Sequence, residues 1–304
     1  MNILYQTDTL QQPTAVTIGF FDGVHCGHRF LLTELQKQAA LRNLMPLPVT
    51  FTNHPQRFFH PQKPLSLLTT TSEKLARLAQ INFTQCLMLP FDAHTAAMSS
   101  AEFMYQLHEH FGMRCLLIGY DHHFGSDRTA TFEDYYTAGS KLGVEVLHGN
   151  KADFHGVTVS SSKIRRCLQK GDIVRANAML GYSYELSGSV AHGNRIGRQL
   201  GFPTANMQLP AEKLLPADGV YATEVVLDGQ LCGGMLNIGL RPTLHTHERT
   251  VEVHLLNFDG DLYGKPLTLR LRQRVRDEQR FATLDALQAQ LQRDRTEIQK
   301  ILSL

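Results

Sequence analysis

The stretch GFFDGVHCGH, residues 19–28, decides the fold of the first half of the chain. It follows a short apolar run, Ala15–Ile18, and leads directly into a segment of helical period, 28–42. A strand, a glycine-rich turn and a helix in this order are typical of a parallel α/β sheet, where ligands bind beyond the carboxyl ends of the strands. The positive end of the helix dipole favours an anion there, so the stretch predicts a polyphosphate site.

Further apolar runs alternate with helical segments as far as residue 148. In this sheet the predicted strands are Ala15–Ile18, Pro48–Phe51, Cys86–Leu89, Cys115–Ile118 and Val144–Leu147. Ser99 and Glu102 form a capping-box pair that predicts a helix over 99–111. Strands joined by crossover helices predict a three-layer, Rossmann-like α/β domain.

The predicted secondary structure changes from helical to mostly strand after a further helical segment, 162–180. From Tyr184 to Arg274 short alternating runs are separated by glycines, and Asp228-Gly229 and Asp259-Gly260 are predicted hairpin turns. This pattern indicates a small antiparallel barrel or sandwich. Leucines and isoleucines at helical spacing over 283–302 predict an amphipathic helix packed on it. We expect the domain boundary near 181–184.

Composition excludes several classes of protein. The 304 residues, of which 42% are hydrophobic, are enough for two ordinary domains. Thirty Lys and Arg against 28 Asp and Glu leave a formal charge of +2, so we expect neither a nucleic-acid partner nor a membrane partner. Five scattered cysteines without a CxxC pair argue against a disulfide framework, and no run of about 18 apolar residues occurs. We therefore expect a cytoplasmic protein; the sequence leaves its oligomeric state open.

Two histidines around a glycine form the first candidate site. His25 and His28 could donate hydrogen bonds to an α-phosphate as charge builds there during a displacement, and Gly27 would let the phosphate approach the backbone. For this motif alone, a role in helix capping or metal binding is equally open. The segment VSSSKIRR, residues 159–166, supplies hydroxyls and cations for β- and γ-phosphates. Together the two segments look like the phosphate clamps of a nucleotidyltransferase.

The second candidate site is HGNRIGRQLGFPTAN, residues 192–206. Glycines with cations suit a loop that closes over phosphates, and Thr204 and Asn206 offer the hard oxygen ligands that Mg²⁺ prefers. The alternative is an ordinary basic hairpin loop. His122-His123, and His245 with His247, could be drawn as metal pairs, but loop histidines explain them, since no cysteine or carboxylate completes either set.

Nearly the whole chain resembles the bacterial bifunctional riboflavin kinase/FAD synthetase family. In the first half the matching stretches are GFFDGVHCGH, FTNHP (51–55), LLTTTSEKLARLAQI (67–81), LPFD (89–92), IGYDHHFG (118–125) and VSSSKIR (159–165). The resemblance implies an FMN adenylyltransferase domain over 1–183, in which FMN phosphate attacks the α-phosphorus of ATP and expels pyrophosphate. In the second half, PTAN (203–206) and RDEQRF (276–281) resemble the riboflavin kinase module. This implies a six-stranded Greek-key barrel with a terminal helix over 184–304, using Mg·ATP and riboflavin to make FMN.

The resemblance also implies roles for individual residues. His25 and His28 stabilise the adenylyl-transfer transition state, and Glu252 is the general base toward the ribityl 5′-hydroxyl. Thr204 and Asn206 hold Mg²⁺, and Asn237 and Arg276 contact the flavin. Nucleotide and phosphate contacts fall on Gly19, Phe21, Asp22, Gly23, Gly27, Asp121, Ser161, Ser162, Arg165, Gly193, Arg195, Gly197, Gly201, Pro203 and Asn206.

Some residues depart from the family pattern. Phe20 replaces an asparagine or small residue, Thr52-Asn53 replaces Glu-Pro, and Ser162-Lys163 stands where Thr-Arg is common. Two alternatives are therefore kept. One is a riboflavin kinase whose adenylyltransferase module is weakened or lost. The other is a non-catalytic, flavin-binding regulator.

Overall fold

In the computed structural model the chain divides into two compact units, Met1–Val159 and Ser160–Leu304. The structure describes residues 1–62, 65–120, 122–127, 130–151, 158–191, 197, 200–227, 229–242 and 247–304; for 241, 242, 247 and 248 the description covers the backbone alone. None of the helices among the described residues has both the length and the apolar composition of a membrane-spanning segment.

The first unit is built on a six-stranded, fully parallel sheet in the order β1-β4-β3-β2-β5-β6. Its strands are β1 Asn2–Leu4, β2 Thr14–Ile18, β3 Met45–Phe51, β4 Gln85–Leu89, β5 Met113–Ile118 and β6 Glu145–His148. All five predicted strands are present, and β1, which was not predicted, adds an edge beside β4. The Rossmann-like prediction is confirmed.

Helices cover both faces of this sheet. They are α1 Cys26–Leu41, α2 Pro55–Phe59, α3 Thr71–Gln80, α4 Ala93–Ala97, α5 Ser100–Phe111 and α6 Phe132–Leu142. Val16 and Ile18 of β2 enter the apolar core shared with α5 and α6, and Ala15 enters the opposite core with α1 and α3. The three predicted layers follow from this alternation. The predicted capping box of Ser99 and Glu102 starts α5.

The helical segment predicted over 162–180 is two helices. These are α7 Ser161–Gln169 and α8 Ile173–Leu180. Gly171, with φ at +76°, breaks the helix, and the Asp172 side chain caps α8 by accepting from the Arg175 N–H. Asn177 Nδ2 donates to the Leu271 carbonyl at 2.8 Å, so α8 belongs structurally to the second unit. The division of function at 183/184 stays a prediction.

The rest of the second unit is a closed antiparallel barrel. Its strands are β7 Glu185–Ala191, β8 Ala205–Gln208, β9 Gly219–Leu227, β10 Gln230–Pro242, β11 His247–Leu255 and β12 Pro266–Arg276, and α9 Leu284–Leu302 follows them. Around the barrel the order is β10-β11-β8-β7-β12-β9. Because β12 returns beside β9, after the sequential β9-β10-β11 set, the barrel is the predicted Greek key. Pairing of Leu227 with Gln230 confirms the hairpin at 228–229. The hairpin predicted at Asp259-Gly260 is wrong, since β11 pairs with β10 and β8, and not with β12.

Candidate active sites

The first site lies at the topological switch point of the parallel sheet. β2 pairs with β3 on one side and with β5 on the other, so the loops that leave the carboxyl ends of β2 and β5 run in opposite directions. The 19–28 stretch follows β2, and the loop that begins at Gly119 follows β5. This crevice is where open α/β sheets bind nucleotides.

The turn after β2 is tight and strained. Phe21, Gly23 and Val24 have φ of +55°, +81° and +36°, and the Val24 N–H donates to the Phe21 carbonyl at 3.0 Å. Positive φ is uncommon for a phenylalanine and rarer for a β-branched valine. At Gly19 an added Cβ would lie 2.6 Å from Cε1 of the Phe21 ring. Gly19 therefore provides the space into which the strained turn folds that ring.

Asp22 holds this turn in place. Its buried carboxylate accepts hydrogen bonds from the N–H groups of Leu68 and Thr69, both at 3.1 Å, and the Gly23 N–H donates to Thr69 Oγ1 at 3.0 Å. The observed contacts of Asp22 thus include the 68–69 backbone and the Thr69 hydroxyl, which donates to Oδ1 at 3.4 Å. A direct contact of Asp22 or Gly23 with nucleotide stays a prediction.

His25 and His28 are brought together at the start of α1. His25 is the N-cap, and its Nδ1 accepts from the His28 N–H at 3.3 Å, so a neutral His25 ring carries its proton on Nε2. The two rings stack with centroids 3.6 Å apart. A Cβ on Gly27 would approach the His25 ring to 3.3 Å, tighter than ordinary packing. The predicted helix began at residue 28; it begins at Cys26 because His25 caps it.

The surroundings of His28 keep it neutral. Burial, together with the charges of His25, His122 and Lys74, holds the pKa of His28 well below its usual value. Its Nδ1 is shielded from water and has no hydrogen-bond partner among the described residues. The Phe21 ring packs edge-on against it, with centroids 5.5 Å apart. A neutral imidazole still carries one N–H, which can donate a hydrogen bond to a phosphate.

The loop after β5 is anchored at two points. The buried Tyr135 hydroxyl donates to the Phe124 carbonyl at 3.0 Å and accepts from the Phe124 N–H at 3.1 Å. Asp127 accepts from the Ser100 N–H at 2.9 Å and from its hydroxyl at 2.6 Å. These bonds fix the 122–127 segment at Phe124 and at Asp127. Asp121 itself lies outside the described residues.

The second predicted phosphate clamp lies at the start of α7. The Ser160 side chain caps this helix by accepting from the Lys163 N–H at 3.3 Å. Ser161 and Ser162 form the first turn, and Arg165 follows, half-buried, one turn later. This helix belongs to the second compact unit. Its predicted role opposite His25 and His28 stays a prediction.

The second site is a row of polar residues across neighbouring barrel strands. Asn206 of β8 pairs with Glu252 of β11, which pairs with Asn237 of β10. Directly paired residues share one face of a sheet, so the three side chains are neighbours. Thr204, just before β8, donates its hydroxyl to Glu252 Oε2 at 3.3 Å. The structure thus brings together four residues that the sequence assigned separately to base, metal and flavin.

This row lies on the outer face of the barrel. The residues adjacent to it along the strands, Leu236 and Val253, are fully buried and fill the barrel interior. The row continues through Val220 of β9 to Arg276 of β12. Arg276 donates from Nε and Nη2 to the buried Asp294 of α9, the shortest contact being 2.7 Å. Its observed ion pair is therefore with α9, its Nη1 donates to the Asp277 carbonyl at 2.9 Å, and a contact with flavin stays a prediction.

Two glycines shape the segment that enters β8. The Gly197 carbonyl accepts from the Phe202 N–H at 2.8 Å, and an added Cβ on Gly197 would lie 2.3 Å from the Phe202 carbonyl oxygen. Gly201 has φ of +78°, which favours glycine. Both predicted glycines have a structural reason. Gly193 and Arg195 lie outside the described residues.

Comparison with known protein families identifies a family for each half of the chain. Residues 7–163 match the FAD synthetase family model, and residues 180–302 match the riboflavin kinase family model. The chain belongs to the bifunctional riboflavin kinase/FMN adenylyltransferase family. Both domains are present, so it is an enzyme of flavin synthesis with kinase and adenylyltransferase activities.

Several relatives carry this family name. The Escherichia coli (strain K12) protein is 38% identical over 93% of this chain and 91% of its own length. The Pseudomonas fluorescens protein is 38% identical over 91% and 89%, and the Bacillus subtilis protein is 30% identical over 94% and 92%. A solved Streptococcus pneumoniae structure, described as a macrolide-efflux protein, matches with a TM-score of 0.89 at 28% identity, over 97% of this chain and 98% of its own.

Two of the departures from the family pattern, at Phe20 and Asn53, have packing roles in this chain. The centroids of the Phe20 and His54 rings are 4.4 Å apart. Lys74 Nζ lies over the Phe20 ring, 4.1 Å from its centroid. The Asn53 amide donates to the Phe91 carbonyl at 2.8 Å and accepts from the Phe91 N–H at 3.0 Å. Both departures are integrated into the framework of the site, and they leave the stacked histidines in place.

Lys74 is the residue of this site that sequence reasoning missed. Its side chain is only 2% exposed, and its Nζ donates to the Phe20 carbonyl, Thr50 Oγ1 and the Phe51 carbonyl at 2.9 to 3.2 Å. Burial lowers the pKa of Lys74 to about 8. It therefore joins the carboxyl ends of β2 and β3 with a buried positive charge. A lysine at a helical position gives no sequence signal for this role, since most are solvated.

Proposed function

We propose that the barrel phosphorylates riboflavin to FMN with one ATP and that the parallel domain adenylylates FMN to FAD with a second. The observation that carries the proposal is the coexistence of two polar clusters in one chain. One is the stacked pair His25–His28 at the sheet switch point, and the other is the row containing Glu252 and Thr204. The five cysteines are free thiols, and we place both reactions in the cytoplasm.

At the barrel, Glu252 acts as the general base. It accepts the proton of the ribityl 5′-hydroxyl as that oxygen attacks the γ-phosphorus of ATP, and ADP leaves. Thr204 and Asn237 flank the carboxylate in the observed row. We assign Asn237 and Arg276 to flavin, and Gly193, Arg195, Gly197, Gly201 and Pro203 to the ATP phosphates.

The donors around Glu252 fit a magnesium ion. A hydroxyl, an amide and a carboxylate oxygen gather in a half-buried place, and these are the hard ligands that Mg²⁺ prefers. Thr204 and Asn206 would hold the ion with ATP. When bound, Mg²⁺ neutralises phosphate charge.

At the parallel sheet, the histidines stabilise charge on the α-phosphate. An FMN phosphate oxygen attacks the α-phosphorus of ATP, and pyrophosphate leaves without a covalent enzyme intermediate. His25 and His28 donate hydrogen bonds where charge develops, and His28 does so as a neutral ring. Gly19, Phe21 and Gly27 shape the backbone that receives the nucleotide. We assign Asp121 and the first turn of α7, with Ser161, Ser162 and Arg165, to the remaining nucleotide and phosphate contacts.

A single preparation of the protein tests both activities. Purified protein is incubated with riboflavin, ATP and Mg²⁺, and the flavins are resolved by chromatography. FMN and FAD together support the proposal. FMN alone points to a lost adenylyltransferase, and unchanged riboflavin points to a non-catalytic flavin-binding protein.

Single variants then assign each site. Glu252→Gln should lower riboflavin phosphorylation by about 10²- to 10⁴-fold while FMN supplied directly still becomes FAD. His28→Asn should lower FAD formation by about 10²- to 10³-fold with phosphorylation intact. Glu185→Gln on β7 and His110→Asn on α5 are matched controls outside both clusters. Loss of both activities in either active-site variant, with riboflavin phosphorylation and the adenylylation of supplied FMN assayed separately, contradicts the two-site proposal.

A further inference from the structure

A buried histidine lies on the same strand face as the proposed base. His254 follows Glu252 by two residues on β11, so both side chains are on the outer face of the barrel. It is 8% exposed, and Met235 is its cross-strand partner. The mechanism proposed above does not use it.

The His254 ring is fixed by two contacts with the segment that enters β8. Its Nδ1 lies 2.9 Å from the Pro203 carbonyl oxygen, and its ring packs edge-on against Phe202, with centroids 5.2 Å apart. A carbonyl oxygen can only accept, so Nδ1 carries the proton and donates it. Burial lowers the pKa of His254, in keeping with a neutral ring.

This bond compensates for a short strand pairing. β8 and β11 pair through only two residue pairs, Asn206 with Glu252 and Ala205 with Val253. The ladder cannot extend through Pro203, because proline has no N–H to donate. The side chain of His254 instead reaches the proline carbonyl, one residue before Thr204.

We propose that His254 is a positioning residue for phosphoryl transfer. It holds the Pro203 carbonyl so that the Thr204 hydroxyl stays on Glu252 Oε2, at the observed 3.3 Å. The proposal rests on the proposed roles of Thr204 and Glu252. Releasing the bond lets the segment that would carry Mg·ATP move relative to the base. The loss should therefore fall on binding of Mg·ATP more than on folding.

Three variants of the full chain test the proposal. His254→Leu removes the donor and keeps a buried apolar side chain, and His254→Asn keeps an N–H donor near the position of Nδ1. Met235→Ala is the matched control, since it opens space beside His254 without touching the hydrogen bond. For each, KM for Mg·ATP and kcat of riboflavin phosphorylation are measured, and pulse proteolysis in urea, with peptides from residues 219–276 quantified, checks that the second unit is folded.

The expected result is specific to the hydrogen bond. His254→Leu should raise KM for Mg·ATP about tenfold, with a smaller change in kcat, and His254→Asn should recover most of the loss. Met235→Ala should keep KM within about twofold of the unaltered chain. If the leucine variant matches Met235→Ala, or the asparagine variant is no better than leucine, the positioning role is overturned. Glu252→Gln is assayed beside them. If that variant keeps riboflavin phosphorylation, Glu252 is not the general base and the proposed function fails. If only the His254 variants depart from expectation, the positioning role alone is overturned.

Discussion

The buried charge of Lys74 should make the stability of the first unit depend on pH in the alkaline range. Its pKa falls from the ordinary 10.5 to about 8 because burial disfavours the ammonium form. Between these values the unfolded chain binds a proton that the folded chain has released. Stability therefore rises with pH from about 8 to 10.5, and the cost of the buried charge is fully present below about 8.

The size of this effect follows from the two pKa values. Each pH unit between them is worth about 1.4 kcal/mol, so the whole interval corresponds to about 3 kcal/mol. Between pH 7.5 and pH 10, part of each titration is included, and the expected gain is about 2 kcal/mol. Lys74→Met removes the titrating group, so the variant should lack this gain. Other alkaline groups titrate in both proteins and cancel in the difference.

The measurement must report the first unit alone. Pulse proteolysis in urea, with peptides from residues 14–51 quantified by mass spectrometry, gives its free energy of unfolding at each pH. Lys37→Met, which removes an exposed lysine of α1, is the matched control and should follow the unaltered chain. Parallel pH profiles for the unaltered chain and Lys74→Met would refute the reasoning, since Lys74 would then not titrate in this range.

Three further substitutions test packing around the two sites. Asp294→Ala leaves the Arg276 guanidinium without its buried partner and should cost about 3 to 5 kcal/mol, read as a lower midpoint in urea; an unchanged midpoint would contradict this. Gly19→Ala places a Cβ 2.6 Å from the Phe21 ring and should lower FAD formation more than riboflavin phosphorylation, measured by chromatography of both products; equal loss of both would count against it. Tyr135→Phe leaves the N–H and C=O of Phe124 without their partner and should lower the free energy that holds the loop after β5 in place by about 1 to 3 kcal/mol. Hydrogen exchange in residues 122–127 should become faster, and unchanged exchange would contradict the anchoring role.

The main architecture could be predicted because local patterns and tertiary structure agree there. The runs that became β2 to β5 are mostly apolar and buried, as expected for strands covered on both faces, whereas β6 lies at the sheet edge and is half exposed. β1 was missed because three residues, Asn2–Leu4, are too short for a periodicity and are stabilised by pairing with β4. The break between α7 and α8 was missed although Gly171 was visible, because a single glycine does not decide between a continuous helix and a cap.

The candidate sites were predictable only where the motif itself is contiguous. His25 and His28 lie within four residues, and their stacking follows from one helix start. The row from Asn206 to Asn237 depends on strand register, and a slip of one residue would turn each side chain to the opposite face. Lys74 and His254 act through backbone carbonyls, whose positions a sequence does not specify.

The alternation of interior and exterior side chains along β11 limits insertions and deletions in this strand. Val251, Val253 and Leu255 fill the barrel, while Glu252 and His254 form the outer face, so one strand supplies both sets in strict turn. Deleting a single residue near the start of β11 would exchange the two sets, placing a carboxylate and an imidazole inside and valines outside. Substitutions in the barrel interior, by contrast, leave the outer row in its register. Volume-conserving substitutions can therefore accumulate in the interior of this domain, whereas insertions and deletions are tolerated in the loops beside β11 and not within the strand.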